Sequence, residues 1–160
     1  MKKTIYIILF IFVGTLTLSA QDSSYAFNSI NFSNQTINGQ FFLGKGKSVL
    51  TQNFGEPQSI SKEYWETEHD TAVMYHYKGV VFYVVKNLVY SFTINSARYS
   101  FSHYNIKVGE NIDKLKTLFP TSYKNRKGNS IILNIKGNDC YVQIDADSNN
   151  IITKIDMGDY

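Results

Sequence analysis

The sequence predicts an α+β protein in which two tandem helix–strand–strand–strand repeats form an antiparallel sheet, with the helices packed on one face. Three observations predict this fold. A pattern of Gly, Leu and Phe occurs twice, as Gly44, Leu50 and Phe54 and again as Gly109, Leu115 and Phe119. Each copy leads into three strand-like runs, and the chain is rich in aromatic and β-branched residues, which favour strands. Cys140 is the only cysteine, so no internal disulfide can form and a hydrophobic core must hold the fold.

Residues 1–20 are predicted to be a secretory signal peptide. Lys2 and Lys3 form a basic start, residues 5–13 are an uncharged apolar run, and the small residue Ala20 precedes a cleavage point. The apolar run is shorter than the roughly 20 residues that a membrane-spanning helix needs. We therefore expect an exported protein, periplasmic or extracellular, that does not remain stably inserted in a membrane after cleavage.

The chain that remains after cleavage is almost neutral. The signal peptide contains two of the 16 basic residues and none of the 13 acidic ones, which leaves 14 basic against 13 acidic residues and a net charge of +1. Nucleic-acid-binding proteins usually carry a basic patch. A nucleic-acid partner is therefore not expected.

Residues 21–41 are predicted to form an N-terminal leader with room for one strand. The first repeat follows over residues 42–98. Ser48 is placed to cap a short helix, and Gly55 is placed to end it. Three strands are predicted after this helix, over residues 72–77, 80–85 and 88–94.

The second repeat spans residues 99–160. Asn111 is predicted to cap its helix and Pro120 to end it. Its strands are predicted over residues 130–135, 139–144 and 151–155. Because one such unit buries too little surface to be stable alone, the two repeats are expected to share one core in one compact domain.

Alternation along the middle strand of the second repeat orients the sheet. Val142 and Ile144 alternate with Tyr141 and Gln143, so the first pair is expected to face the helices. Transferred to the first repeat, this predicts that Leu88, Tyr90 and Phe92 point inward, as do Ile151, Thr153 and Ile155. The opposite, outward face is predicted to carry Met74, His76, Val81, Tyr83, Val85, Ile132, Asn134, Tyr141 and Gln143.

This outward face is more apolar than a solvated sheet face normally is. Two interpretations follow from the sequence. Either residues 21–41 cover the face, or it is a surface for a binding partner.

A second candidate for binding is the segment 59–71, which is predicted to be a loop longer than its counterpart at residues 121–129. It contains Tyr64 and Trp65, the latter being the only tryptophan. A long loop with a tryptophan is typical of a binding hot spot; alternatively, Trp65 folds back onto the sheet. The candidate binding residues are thus Tyr64, Trp65, Met74, His76, Tyr83, Asn134, Tyr141 and Gln143.

The metal-like and nucleophile-like patterns are weak, and we expect no metal, no cofactor and no catalytic residue. The lone His69 among Glu66, Glu68 and Asp70 is a poor match for zinc, which prefers several His or Cys ligands. Cys140 falls on the predicted inward face, where a buried small hydrophobic residue is the simpler interpretation.

Two loops resemble ligand-binding motifs without completing them. Residues 145–150 alternate oxygen-bearing side chains as a calcium loop does, but Asn150 stands where that loop needs Gly, so a hairpin turn explains them. Residues 44–48 lack the first Gly of a phosphate-binding loop, and we interpret them as a helix-entry turn.

The Gly, Leu and Phe helix motif, with its Gly or Pro stop and its antiparallel strands, resembles the small outer-membrane lipoproteins of the SmpA/OmlA type. The tandem duplication resembles the β-lactamase-inhibitor-protein fold. The resemblance covers residues 42–156 and implies an α+β sheet backed by helices, with a protein-binding role and no catalysis. The lipoprotein cysteine is missing near residue 20.

The leading functional hypothesis is therefore a secreted or periplasmic binding module without enzymatic activity, whose partner is a protein or a component of the cell envelope. One form of it is an inhibitor or immunity protein. The alternative hypothesis is a small hydrolytic or metal-dependent enzyme that uses His69 or His76 with nearby carboxylates. That alternative requires these groups to converge in one pocket.

Overall fold

The computed structural model describes residues 27–66 and 69–159. The predicted signal peptide and residues 21–26 of the leader lie outside the described residues, as do Thr67, Glu68 and Tyr160. Within the described part, twelve strands alternate with short helices, and the long strands belong to the two predicted repeats. The strands are β1 Ser29–Ile30, β2 Thr36–Ile37, β3 Gln40–Phe41, β4 Ser59–Trp65, β5 Asp70–Tyr77, β6 Val80–Val85, β7 Leu88–Ile94, β8 Ser100–Phe101, β9 Ile106–Lys107, β10 Ser130–Ile135, β11 Cys140–Ala146 and β12 Ile152–Asp159.

The helices in the described residues are α1 Ser48–Phe54, α2 Leu115–Leu118 and α3 Pro120–Lys124, with 3-10 turns at Phe32–Asn34 and Ile112–Lys114. The predicted α+β class with helices packed on one sheet face is therefore wrong, because the protein is mostly β. The Gly, Leu and Phe pattern fits a helix of two turns at most. In the second copy, Pro120 disfavours helical backbone at Phe119, whose φ of −136° and ψ of 65° separate α2 from α3.

Eight strands form one mixed sheet in the order β1-β10-β11-β12-β7-β6-β5-β4. All pairs are antiparallel except β1 with β10, which is parallel. A second sheet has the order β3-β2-β8-β9. Its two-residue strands come from the leader and from the first residues of the predicted second repeat. Strands that short leave no periodicity in the sequence.

The two repeats meet at β7 and β12, in the middle of the large sheet. Thr93 pairs with Asp156 and Ile94 pairs with Ile155. The repeated motif makes equivalent contacts in each copy: the Gly44 amide donates to the Val89 carbonyl, as the Gly109 amide donates to the Ile152 carbonyl. With this correspondence Thr93 and Asp156 are equivalent positions, so an approximate two-fold axis runs between them.

The core lies between the inward face of the large sheet and a layer made of the small sheet and the helices. Phe82 and Phe92 on the large sheet contact Phe42 and Phe101, respectively, with ring centroids 5.4 and 6.0 Å apart. Leu50 of α1 and Leu115 of α2 are fully buried in the same core. The Leu and Phe residues of the repeated pattern therefore build the core.

Two local predictions about helix ends differ in outcome. Asn111 caps the 3-10 turn that leads into α2, because its side-chain oxygen accepts a hydrogen bond from the Asp113 amide at 2.8 Å. Ser48 is the first residue of α1 and not its cap, so that prediction is wrong; no side chain caps this helix. Residues 44–48 form a helix-entry turn, as predicted.

The prediction that residues 59–71 form a loop is wrong. Residues 59–65 are β4, the edge strand of the sheet, which pairs antiparallel with β5 from Ser59 opposite His76 to Trp65 opposite Asp70. Six of its seven residues are exposed. An edge strand solvated on both faces shows no alternation of apolar and polar residues, so the usual strand signal is absent.

Candidate functional site

A β-bulge between β6 and β7 shapes the outward face. Tyr83 lies opposite Ser91 and the next residue, Val84, lies opposite Val89, so Tyr90 is an extra residue on β7. A bulge of this kind redirects a side chain. Tyr90 consequently contacts Trp65 on the outward side.

This bulge, together with a matching one on β12, explains why three residues that were expected to point toward the core do not. The predicted inward residues Leu88 and Tyr90 do not face the core: Leu88 is 47 % exposed, whereas its neighbour Val89 is 1 % exposed. β12 carries the matching bulge, because Asp145 lies opposite Lys154 and Ala146 lies opposite Ile152. Thr153 is the extra residue there and is exposed. Phe92 and Ile155, beyond the bulges, are buried as predicted.

Three aromatic side chains form a cluster at the end of the first repeat. The ring centroid of Trp65 lies 5.6 Å from that of Tyr83 and 5.7 Å from that of Tyr90. These distances are typical of favourable ring contacts. The cluster borders a depression of about 230 Å³, which we call the Trp65 pocket; its lining is Trp65, Tyr83, Tyr90, Ser91, Asp156, Met157, Gly158 and Asp159.

Hydrogen bonds fix the aromatic wall of the pocket. The Tyr90 hydroxyl donates to Asp159 Oδ2 at 2.7 Å. The Tyr83 hydroxyl lies 3.2 Å from Thr93 Oγ1, and Thr93 in turn donates to Asp156. Since the threonine proton goes to Asp156, Tyr83 is the donor to Thr93. Both tyrosine rings are therefore tied to the carboxylates of β12 that line the same pocket.

On the side of the second repeat, the Tyr141 ring lies close to Gly158, which lines the pocket. Tyr141 lies opposite Gly158 in the pairing of β11 with β12. A Cβ placed on Gly158 would lie 2.9 Å from Tyr141 Oη and 3.0 Å from Cζ. The missing side chain of Gly158 is what allows the Tyr141 ring to lie across β12.

The equivalent position in the second repeat carries charges instead of aromatic rings. The matching bulges make Asp145 the counterpart of Tyr83. Asp145 Oδ1 accepts hydrogen bonds from Ser130 Oγ and Gln143 Nε2, both at 2.7 Å, and Oδ2 lies 3.2 Å from Lys154 Nζ. Partial burial acts to raise the pKa of Asp145, but these three donors outweigh it and hold the pKa below its usual value.

Lys154 bridges two carboxylates, since it also lies 3.5 Å from Asp156 Oδ2. Partial burial acts to lower the pKa of Lys154, but Asp156 and Asp145 outweigh it and raise that pKa above its usual value. The second repeat therefore closes its own side of the sheet with an internal polar network, and the first repeat leaves an aromatic surface.

The remaining predicted binding residues are spread over the sheet. Met74 is the direct partner of Tyr83, next to the aromatic cluster. His76 lies farther along β5, where its Nε2 is 2.7 Å from Ser61 Oγ. Asn134 is buried where β10 pairs with β1. Tyr64 is 60 % exposed and alternates with Trp65, so it points to the other face of β4.

Six of the eight residues that line the Trp65 pocket are not among the predicted binding residues: Tyr90, Ser91, Asp156, Met157, Gly158 and Asp159. Strict alternation placed Tyr90 inward, and only the bulge reverses it. Asp156 alternates with the buried Ile155 and Met157, which was a usable signal for an outward position.

The two histidines of the alternative enzyme hypothesis, His69 and His76, are not brought together. His69 is an exposed turn residue before β5 and His76 is near the end of that strand, which separates them by roughly 20 Å at about 3.3 Å per residue. Among residues 27–66 and 69–159, no three His, Cys, Asp or Glu side chains are grouped so as to hold a metal ion. Glu68 of the predicted metal set lies outside this description.

The predicted hairpin turn is present, but it spans residues 147–151, because Asp145 and Ala146 still belong to β11. The Asp147 carboxylate accepts hydrogen bonds from the amides of Asn149 and Ile151, at 2.8 and 2.9 Å. Such a contact stabilises the turn itself. Both Asp145 and Asp147 are thus bound to groups of the protein.

The described part of the leader runs along the edge and the inward side of the large sheet. Ser29–Ile30 pairs with β10, and the Asn28 amide donates to Ser122 Oγ of α3 at 2.7 Å. Ile37 of the leader then enters the core, followed by Phe42 at the start of the first repeat. Residues 27–41 therefore do not cover the Trp65 pocket.

No protein-family model matches the chain. No curated protein sequence matches it either. Among solved structures, the chain is similar to the 1.5 Å crystal structure of an extracellular protein containing a SCP domain from Bacillus anthracis str. Ames, with 14 % sequence identity and a TM-score of 0.42. The match covers 74 % of this chain and 44 % of that one, so it spans less than half of that protein. A likeness this distant carries no argument about function.

No helix within the described residues has the length and apolar character needed to cross a membrane.

Proposed function

We propose that this protein is an exported binding module without catalytic activity, and that it binds a protein or a cell-envelope component through the Trp65 pocket and the sheet face around it. The observation that carries the proposal is the aromatic cluster of Trp65, Tyr83 and Tyr90 beside the carboxylates of Asp156 and Asp159. The signal peptide predicted over residues 1–20 supports export of the protein.

The composition of the pocket supports recognition of a macromolecule. Trp and Tyr are the residues that most often dominate the binding energy of protein interfaces, because they bury a large rigid surface while keeping a polar group for hydrogen bonding. Here they lie on an open sheet face and not in the core. Met74 extends this apolar surface along β5.

The pocket is also ordered before any partner arrives. Tyr90 is held by Asp159 and Tyr83 by Thr93, so neither ring loses much freedom on binding. A preordered contact surface binds more tightly because less conformational entropy is lost. An inhibitor or immunity protein is one form of this function that needs such a surface.

The comparison of the two repeats supports the same location. Both repeats supply matching core residues, turns and bulges, but at equivalent outward positions one has Tyr83 and the other has Asp145. Asp145 is satisfied within the protein by Ser130, Gln143 and Lys154. The two repeats thus differ at this position: the second repeat has a polar network closed by internal contacts, and the first repeat has an open aromatic wall.

Site-specific photo-cross-linking tests the proposal. A benzophenone amino acid replaces Tyr83 in one variant and Tyr64, on the other face of β4, in a matched control. Both are expressed in the exporting cell and irradiated. We expect a discrete adduct with one partner from position 83 and none from position 64. Adducts from both positions alike, or from position 64 alone, would contradict the proposal.

A further inference from the structure

The Trp65 pocket has an unbalanced charge. Among the residues that the structure describes, Asp156 and Asp159 line it, and no Lys, Arg or His does. The other lining groups are aromatic rings, a serine, a methionine and a glycine. Carboxylates beside the faces of Trp and Tyr are complementary to a cation, because the ring faces carry partial negative charge. From this we infer that the pocket binds the guanidinium group of an arginine presented by a protein partner.

This inference rests on the proposed binding function and names the chemistry of its partner. The nearest internal cation does not neutralise the site. Lys154 is shared between Asp145 and Asp156, so these three groups together keep one negative charge. Asp159 takes part in none of the ion pairs within residues 27–66 and 69–159. Asp159 instead accepts hydrogen bonds from two neutral groups, the Tyr90 hydroxyl and the Cys140 thiol, the latter at 3.0 Å.

The carboxylate acceptors of Asp156 and Asp159 favour arginine over other cations. A quaternary ammonium has no N–H to donate to Asp156 and Asp159. The ammonium of lysine donates from a single point, whereas guanidinium is planar, stacks on an aromatic ring and has five donors in a fixed fork. It can therefore lie on Trp65 while donating to Asp159. A neutral sugar would leave the negative charge of the pocket uncompensated.

The only tryptophan of the chain is in this pocket, so its fluorescence reports on the site directly. The probe is the peptide acetyl-Gly-Arg-Gly-amide, titrated into the full mature protein. Comparison peptides carry citrulline or lysine in place of arginine. Two further ligands are titrated in the same way: tetramethylammonium chloride, a cation without an N–H donor, and sucrose, a neutral sugar.

We expect the arginine peptide to change the Trp65 fluorescence in a saturable way. The citrulline peptide, which keeps the shape of arginine and loses its charge, is expected to bind at least about tenfold more weakly. Asp159→Asn is expected to weaken arginine binding about fivefold or more, as is Asp156→Asn. Glu56→Gln, an equal charge change at an exposed residue next to α1, is expected to leave binding unchanged. Circular dichroism confirms that each variant is folded.

Equal binding of arginine and citrulline, or preference for tetramethylammonium or sucrose, would overturn the inference. So would unchanged arginine binding by both folded aspartate variants. If position 83 cross-links to a partner but the arginine peptide shows no preference, the guanidinium assignment fails and the binding function stands. If arginine binds as described but position 83 gives no adduct, the chemistry of the pocket stands and the proposed function fails.

Discussion

Replacing Gly158 with alanine is a direct test of how the outward face is built. The new Cβ would lie 2.9 Å from Tyr141 Oη and 3.0 Å from Cζ, whereas carbon contacts are comfortable at about 3.5–4.0 Å. Something must move by roughly 0.5–1 Å. Gly158 does not have a positive φ, so its backbone accepts alanine and the Tyr141 ring must give way.

Overpacking costs about 1–3 kcal/mol in a rigid core. Tyr141 is half-buried and its ring can turn outward. We therefore expect Gly158→Ala to lower the free energy of unfolding by an amount at the lower end of this range, about 1 kcal/mol. Without the ring, the same substitution restricts the unfolded chain and stabilises the fold by about 0.4–1 kcal/mol. The effect of Gly158→Ala should therefore change sign between the wild-type and Tyr141→Ala backgrounds.

The assay is a double-mutant cycle by urea unfolding, with Gly158→Ala, Tyr141→Ala and the double variant. The structure predicts a coupling free energy of about 1.5–2 kcal/mol between the two positions. Additive effects, with Gly158→Ala equally costly in both backgrounds, would refute the placement of Tyr141 across β12.

Two further predictions concern the bulge and the charged network. Because Leu88 is exposed and Val89 is buried, Val89→Ala should lower the free energy of unfolding by about 2 kcal/mol and Leu88→Ala by less than about 0.5 kcal/mol; the reverse order in urea unfolding would contradict the bulge. The lowered pKa of Asp145 in the folded state means that its carboxylate stabilises the protein above the unfolded pKa of about 3.9 and loses this contribution as the pH falls through the folded pKa. Asp145→Asn should therefore destabilise the protein by about 1 kcal/mol at pH 7 and by much less near pH 2, and an equal deficit at both pH values would show that the carboxylate charge plays no part.

Six of the seven long strands in the repeats, all except β4, are predictable because each has one buried face. Phe82 and Val84 alternate with Val81 and Tyr83, and the structure places the first pair in the core. Gly79 and Gly137 mark the hairpin turns between the first two strands of each repeat, and both have a positive φ. These features follow from local chemistry, so sequence reasoning finds them.

The prediction failed where structure depends on long-range pairing. β4 is solvated on both faces, and the small sheet consists of two-residue strands, so neither leaves a periodic pattern. A bulge shifts the register of every residue on one side of it by one. For this reason strict alternation predicts the wrong face for Leu88, Tyr90 and Thr153 and the correct face for Phe92.

The sequence predicts two of the eight residues that line the Trp65 pocket. Trp65 and Tyr83 were named on separate grounds, one as a loop tryptophan and one as an outward strand residue. Their contact depends on β4 pairing with β5, which sequence alone did not indicate. Tyr90 and Asp159 join them only through the bulge and the pairing of β11 with β12.

The most direct test of the binding surface is the affinity of the partner that position 83 cross-links. Its Kd would be measured for the wild type, for Trp65→Ala and for Tyr64→Ala, the neighbouring aromatic residue on the opposite face of β4. A tryptophan that anchors an interface contributes about 2 kcal/mol, which corresponds to a roughly 30-fold weaker Kd for Trp65→Ala. Tyr64→Ala should change the Kd by less than about twofold. Equal losses in the two variants, or no loss in Trp65→Ala, would contradict the assignment of the Trp65 pocket as the binding site.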